Sequence, residues 1–156
     1  MRTNKAICIA LAALSILSGC EGTPHNVHRQ EIRTETGKAV NLSANPELKA
    51  IKASLLDGMT SYMKSVRTSY GSGDINRCAQ ILDEHLGAIQ AAKSREEAMS
   101  VVKTTVLKLN QLNKQSGSDL IETDQREQIA AFIIKAGALL GFNGEHEDVT
   151  EQWRDW

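Results

Sequence analysis

The sequence predicts an all-α protein: an antiparallel bundle of about four helices followed by a short C-terminal helical turn and preceded by a flexible tether. Apolar residues recur every three or four positions between Leu48 and Leu140, which is the period of helices with one buried face. Short segments of glycine, serine or helix-capping residues separate these stretches, and alternating β-branched patterns are scarce. With 156 residues, 41% hydrophobic and 24% charged, the chain suits a single domain.

The first helix is predicted to begin at Asn45-Pro46-Glu47. Asparagine is a favoured N-cap, proline fits the first helical position, and an acidic residue complements the helix dipole there. The helix is expected to end at Gly71-Ser72-Gly73. Its apolar stripe comprises Leu48, Ile51, Leu55, Met59, Tyr62 and Val66.

Asp74 is predicted to cap the second helix. A capping box at Ser94–Glu97 is predicted to open the third helix, which Gly117 ends. The stripe of the second helix comprises Ile75, Cys78, Leu82, Leu86 and Ile89, with Ile81 on its flank. The stripe of the third comprises Met99, Val102, Val106 and Leu109, widened by Ala98, Val101 and Leu112.

Thr123 or Asp119 is predicted to cap the fourth helix, and Gly141 to end it in the left-handed conformation. Gly137, four residues before Gly141, is expected to allow close packing of two helices. A last turn is expected to start at Asp148 or Thr150, which extends the helical domain over residues 45–156. The stripe of the fourth helix comprises Ile129, Phe132, Ile133, Ala136, Leu139 and Leu140.

The N-terminus has the organisation of a targeting segment. Arg2 and Lys5 precede an apolar run from Ala6 to Leu17, which is too short to span a membrane and suits a signal peptide. The run leads into Leu17-Ser18-Gly19-Cys20, which resembles the lipobox of bacterial lipoprotein precursors. The resemblance implies a signal peptide over residues 1–19, cleavage before Cys20 and lipidation of that cysteine. The alternative is an ordinary signal peptide with an unmodified cysteine.

Lipidation would anchor the chain to the bacterial cell envelope through Cys20, because two or three acyl chains hold a protein stably to a membrane. Glu21 follows instead of the aspartate that resembles an inner-membrane retention signal, so we expect the outer membrane, facing the periplasm, in a Gram-negative source. Residues 20–44 are polar and lack periodicity, which predicts a flexible tether. Cys78 would be the only free thiol of the mature chain.

Residue combinations typical of catalysis or metal binding are incomplete. Cys78 and His85 are seven positions apart on one helical face, roughly 10 Å, which is too far for a nucleophile and its base. We expect Cys78 to be buried and His85 to lie at the core boundary. His25 and His28 lack a third metal ligand, and His146-Glu147 lacks the second histidine of a zinc-protease signature. We expect no catalytic residue, metal or cofactor, and the net charge of -1 argues against nucleic acid.

The acidic residues concentrate near the C-terminus. Nine acidic and three basic residues lie between Asp119 and Trp156, against ten acidic and thirteen basic between Cys20 and Ser118. Carboxylates steer encounter and tryptophans supply contact area, so this tail is predicted to bind a protein partner of basic character. The candidate binding residues are Glu147, Asp148, Glu151, Trp153, Arg154, Asp155 and Trp156. The alternative is a latch in which Trp153 packs on the bundle and the acidic residues are solvated.

The ending Asp148–Trp156 also resembles the C-terminus of small bacterial domains of unknown function, which implies a packing or binding role for the tail. Taken together, the features predict an envelope lipoprotein that binds protein without catalysis. Small size, tethering and the acidic tail suggest an inhibitor or immunity protein against an envelope-directed toxin or hydrolase. A structural or assembly lipoprotein of an envelope complex is the first alternative, and an enzyme with a cleft between helices is the second.

Overall fold

The computed structural model describes residues 40–156, which contain four α-helices and no strand. A 3-10 turn over Leu42–Ala44 precedes the helices, which are α1 (Pro46–Ser65), α2 (Ser72–Ala91), α3 (Arg95–Gln115) and α4 (Thr123–Leu139). The all-α fold class is therefore confirmed. The predicted signal peptide, Cys20 and most of the predicted tether lie outside the described residues. None of the four helices is long and apolar enough to cross a membrane.

The closest helix pairs are α2 with α3 and α1 with α4. Contacts between α1 and α4 join the start of one helix to the end of the other, as in the ion pair of Glu47 with Lys135 (2.9 Å). In the other pair, Glu84 of α2 contacts Lys108 and His85 contacts Thr105, so position along α3 falls as position along α2 rises. Both pairs are therefore antiparallel, and α2 and α3 are joined by a short connection, as predicted. The predicted stripes supply most of the core, whose largest fully buried side chains include Leu48, Leu55, Met59, Leu82, Ile89, Leu109, Ile129, Phe132 and Ile133.

The ordered domain begins before residue 45, where the tether was predicted to end. Leu42 is 0% exposed, and its N–H donates to Oε1 of Gln90 at the end of α2 (3.1 Å). The Gln90 amide nitrogen in turn donates to the carbonyl oxygen of Val40 (3.0 Å). The boundary at 44 and 45 is therefore too late. A single buried leucine has no periodicity, so the sequence pattern did not reveal it.

The turn between α1 and α2 differs from the prediction. α1 ends at Ser65, and Tyr62 and Val66 of the predicted stripe are 43% and 46% exposed. Tyr70 enters the core in their place, and its hydroxyl donates to the carbonyl oxygen of Met59 (3.0 Å). The chain must leave the helix early to bring Tyr70 back against α1.

Two of the predicted caps occupy other positions. α2 begins at Ser72, so Asp74 is its third residue, where Oδ2 accepts the N–H of Gly71 (2.9 Å). α4 follows Glu122, whose N–H donates to Gln125 (3.2 Å), so neither Thr123 nor Asp119 is the cap. Asp119 accepts the N–H of Ser69 instead (2.7 Å). The carboxylates of Asp74 and Asp119 thus accept backbone N–H groups that the turns leave unpaired.

The cap of α3 agrees with the sequence more closely. Oγ of Ser94 accepts the N–H of Glu97 (3.2 Å), as a capping box requires. The Glu97 carboxylate reaches one residue further back than predicted and accepts the N–H of Lys93 (2.7 Å). The connection between α2 and α3 is consequently tight, since both Lys93 and Ser94 are bonded to Glu97 of α3.

Candidate protein-binding surface

The C-terminal segment, residues 141–156, starts with a sharp turn at the end of α4. Gly141 has a φ of +74°, and its N–H donates to the carbonyl oxygen of Ala138 (2.9 Å). The N–H of Phe142 donates to the carbonyl oxygen of Gly137 (2.9 Å). These two hydrogen bonds define a Schellman motif, so the predicted left-handed cap at Gly141 is confirmed.

Gly137 serves this turn and not the packing of two helices, which corrects the prediction. The side chain of Asn143 occupies the space that a Cβ at position 137 would fill. Nδ2 of Asn143 donates to the carbonyl oxygens of Ile134 (3.0 Å) and Gly144 (2.9 Å). Asn143 therefore ties the start of the C-terminal segment to the last turns of α4.

Arg95, the first residue of α3, holds the acidic loop that follows. Its guanidinium donates to the carbonyl oxygen of Phe142 and to Oε1 of Glu147 (2.5 Å). Glu147 also accepts the N–H of Gly144 (3.1 Å). The hydrogen bonds from Arg95 and Gly144 lower the pKa of Glu147, and the same contact with Glu147 raises the pKa of Arg95. Glu147 thus fixes the loop to α3.

The predicted final turn begins at Thr150, whose carbonyl oxygen accepts the N–H groups of Trp153 (3.1 Å) and Arg154 (3.3 Å), and the side chain of Asp148 caps it. Oδ1 of Asp148 accepts both the N–H (2.9 Å) and the hydroxyl (2.6 Å) of buried Thr150. Arg154, one turn later, lies 3.0 Å from Oδ2 of Asp148. Partial burial acts to raise the pKa of Asp148, but the bonds from Thr150 and the charge of Arg154 outweigh it, and the pKa is lowered. An ionised Asp148 therefore stabilises this turn.

Both tryptophans are partly buried and pack against the core, so the latch considered for Trp153 holds for Trp156 as well. Nδ2 of Asn110 on α3 donates a hydrogen bond to the carbonyl oxygen of Trp153 (2.8 Å). The Arg154 guanidinium lies 5.9 Å from the centre of the Trp156 ring, within range of a cation–π contact. Within residues 40–156, the buried Nε1 of Trp156 has no hydrogen-bond partner.

The structure divides the seven candidate binding residues into three groups. Glu147, Asp148 and Arg154 form ion pairs inside the domain, and Trp153 and Trp156 share their surface between core and solvent. Glu151 and Asp155 are exposed and form no ion pair with any residue of the described range. These two carboxylates are therefore the charges that the tail offers outward.

A groove of about 660 Å³ runs along the outer side of α4, between α1 and the C-terminal segment. It continues into a second depression of about 540 Å³, also bounded by α1 and α4. Ile51, Glu127 and Ala131 line both, so we treat them as one feature, the α4 groove. Asp148 and Arg154 are the only two of the seven predicted tail residues that line it.

The floor of the α4 groove is apolar because of the run Ile129–Ile134. Ile129, Phe132 and Ile133 point into the core, while Ala130, Ala131 and Ile134 line the groove. The sequence prediction placed only the inner half of this run, Ile129, Phe132 and Ile133, on the buried stripe. The outer side of α4 thus contributes apolar residues to the groove among its charged ones, and the uninterrupted six-residue run was the signal for them.

Charged residues form the rim of the α4 groove. Lys135 spans it, with Nζ 2.9 Å from Oε2 of Glu47 and 3.4 Å from Oε1 of Glu145. The hydrogen bond to Glu47 raises the pKa of Lys135, which keeps the lysine charged. Asp124 and Glu127, further along the groove, have no ion-pair partner among residues 40–156. The rim therefore carries an excess of negative charge.

The core residues considered for chemistry are both buried. Cys78 is 0% exposed, as predicted, and burial raises the pKa of its thiol to about 12. His85 was expected at the core boundary, but it is 1% exposed, and burial lowers its pKa to about 4. Its Nδ1 lies 3.0 Å from Oγ1 of Thr105. Residues of α3 such as Thr105 cover His85, so the expected boundary position is wrong.

Metal ligands do not gather in the described part of the chain, where no group of three or more histidine, cysteine or acidic side chains could hold an ion. His25 and His28 lie outside it, and His146 is exposed on the groove. Compared with known protein families, curated proteins and solved structures, the chain matches none of them.

Proposed function

We propose that this chain is a bacterial lipoprotein, held to the cell envelope through a lipidated Cys20, whose helical domain binds another protein and catalyses no reaction. The lipobox-like Leu17-Ser18-Gly19-Cys20 supports the anchor. The α4 groove supports the binding role together with the exposed carboxylates of the tail, Glu151 and Asp155. An open apolar floor bounded by charged residues is typical of protein interfaces.

The tail extends this surface. Glu151 and Asp155 are exposed beside half-buried tryptophans, so a partner that contacts the tail would meet aromatic area and negative charge together. Negative charge around a contact surface raises the rate of encounter with a basic partner. Asp148 and Arg154 connect the tail to the α4 groove, which lets one partner contact both.

We propose, more specifically, an inhibitor or immunity protein that neutralises an envelope-directed toxin or hydrolase. An inhibitor of this kind needs a preformed, rigid surface. The bonds of Arg95 and Asn110 to the C-terminal segment hold that surface before any partner arrives, which lowers the entropic cost of binding.

Cross-linked capture from the envelope of the source organism tests the binding role. The lipidated wild-type protein is compared with Glu151→Lys, which reverses one exposed charge without breaking an ion pair of the described domain. Glu96→Lys, at another exposed acidic residue, on α3, is the control. Circular dichroism verifies that all three proteins remain helical.

An inhibitor should capture one dominant protein, which Glu151→Lys loses and Glu96→Lys retains. Capture of several envelope proteins, unchanged by either substitution, would favour a structural or assembly lipoprotein instead. The anchor is tested separately with Cys20→Ser, which should move the protein from the membrane fraction to the soluble fraction and remove acyl chains from the N-terminal peptide in mass spectra. Membrane retention of that variant would contradict lipidation at Cys20.

A further inference from the structure

We infer that the α4 groove binds an amphipathic helix of the partner, with lysine or arginine beside its apolar stripe. This inference rests on the proposed protein-binding function and specifies the chemistry of the partner. It concerns the outer side of α4 and not the tail residues on which the capture experiment depends.

The surroundings of the α4 groove favour a helix over other forms of peptide. Addition of a strand requires an open sheet edge, and residues 40–156 contain no strand. A polyproline segment requires a groove lined by aromatic rings, and none of Phe, Tyr or Trp lines the α4 groove. A groove bounded by helices with an apolar floor is the third recognised mode, in which an amphipathic helix inserts its apolar side.

The dimensions of the floor agree with this mode. From Asp124 to Lys135 the groove follows α4 for roughly 17 Å, which is about three turns of a bound helix. Ala130 and Ala131 are small, so the axis of a bound helix can approach that of α4 closely. Ile51 and Ile134 offer apolar contacts on either side.

The charges of the rim favour a basic partner. Five acidic residues and three basic residues line the two depressions. Lys135 and Arg154 are already paired with acidic residues of the same rim. Three other charged residues of the groove form no ion pair within the described domain: Asp124, Glu127 and Arg126. The unpaired acidic residues therefore outnumber the unpaired basic ones by two to one. A helix with basic residues on its flanks would pair with both carboxylates, whereas an acidic helix would be repelled.

Synthetic peptides test the inference on the full mature chain. The probe is a fluorescein-labelled peptide of leucine, alanine and lysine in which leucine recurs every three or four positions. One comparison peptide has glutamate in place of lysine, and another has the same composition without helical periodicity. Binding is followed by fluorescence anisotropy, and its location by NMR shifts of the Ala130 and Ala131 amides.

Ala131→Trp fills the exposed floor of the groove, and Ala91→Trp, at an exposed alanine that ends α2, is the matched control. We expect the basic periodic peptide to shift the groove amides and to bind Ala131→Trp about tenfold more weakly or worse, while Ala91→Trp binds as the wild type does. Glu127→Lys should weaken binding as well, and added salt should weaken it further.

Three results would overturn the inference: equal binding to Ala131→Trp, equal binding of the acidic or aperiodic peptide, or shifts confined to another surface. If the envelope capture still yields one partner that depends on Glu151, the protein-binding function stands and only the helix in the groove is wrong. If the capture yields no partner, the proposed function fails whichever result the peptides give.

Discussion

The side chain of Asn143 occupies the space left by the missing Cβ of Gly137, so that α4 and the segment that follows it interlock. The Asn143 amide cannot swing aside, because Nδ2 is bonded to the carbonyl oxygens of Ile134 and Gly144. Any side chain at position 137 would overlap Oδ1 of Asn143.

Gly137→Ala should therefore lower the free energy of unfolding by about 1–3 kcal/mol, because overpacking forces the cap to shift. Urea unfolding followed by circular dichroism measures this. Gly87→Ala is the matched control: no atom lies within 4 Å of a Cβ there, and alanine should stabilise the exposed helix by roughly 0.5–1 kcal/mol. The double variant Gly137→Ala, Asn143→Ala should be no less stable than Asn143→Ala alone, and additive losses would contradict the overlap.

His85 should make stability depend on pH. Its pKa is about 4 in the folded protein and near 6.5 when unfolded, so the unfolded chain binds the proton first as the pH falls. The free energy of unfolding should fall by about 1.5 kcal/mol between pH 6.5 and about pH 5. Urea midpoints at several pH values measure the slope. His85→Leu should flatten it and His146→Gln, at an exposed site, should not; equal slopes in all three proteins would refute the assignment.

Cys78 should be inert toward thiol reagents in the native protein. Its thiol is buried and has a pKa of about 12, so neither access nor ionisation favours reaction. With Cys8 and Cys20 replaced by serine, labelling by a disulfide reagent at about pH 8 should be slower than in urea by a factor on the order of a thousand or more. A native rate within about tenfold of the unfolded rate would mean that α2 opens locally.

Asn110 should decide how firmly the tail is held. Asn110→Ala removes the bond to the Trp153 carbonyl oxygen and the longer contact with the Asp155 N–H (3.5 Å), at a cost of about 1 kcal/mol. Hydrogen exchange of residues 153–156 should accelerate, and tryptophan emission should shift to longer wavelength. Asn76→Ala, at an exposed position of α2, should leave both unchanged. If exchange stays slow in Asn110→Ala, the tryptophan packing alone holds the tail.

Helical periodicity predicted those parts of the fold that depend on one-sided burial. Leu55, Leu82 and Val106 are 0% exposed, as their stripes required. The exceptions are residues placed by contacts distant in sequence. Tyr70 displaces Tyr62 from the core because the chain reverses after Ser65, and no local pattern encodes that reversal.

The candidate surface was predictable only in part. The acidic tail and the cap at Asp148 follow from composition and from known turn chemistry. The α4 groove depends on how α1 and the C-terminal segment flank α4, which requires the tertiary arrangement. Ala130 and Ala131 lie in an apolar run, and the sequence alone does not separate its inner from its outer half.

The attachment of Leu42 to α2 has a mechanical consequence. Val40 is the first described residue, and Gln90 bonds both to Val40 and to Leu42. Within the described residues, a pulling force applied from the N-terminal side would load these two hydrogen bonds and the buried leucine first, and would pass into the end of α2 before it reached α1. The force would then act on the Gln90 amide and on the buried side chain of Leu42. The four helices would be strained only after the two hydrogen bonds had broken and Leu42 had left the core.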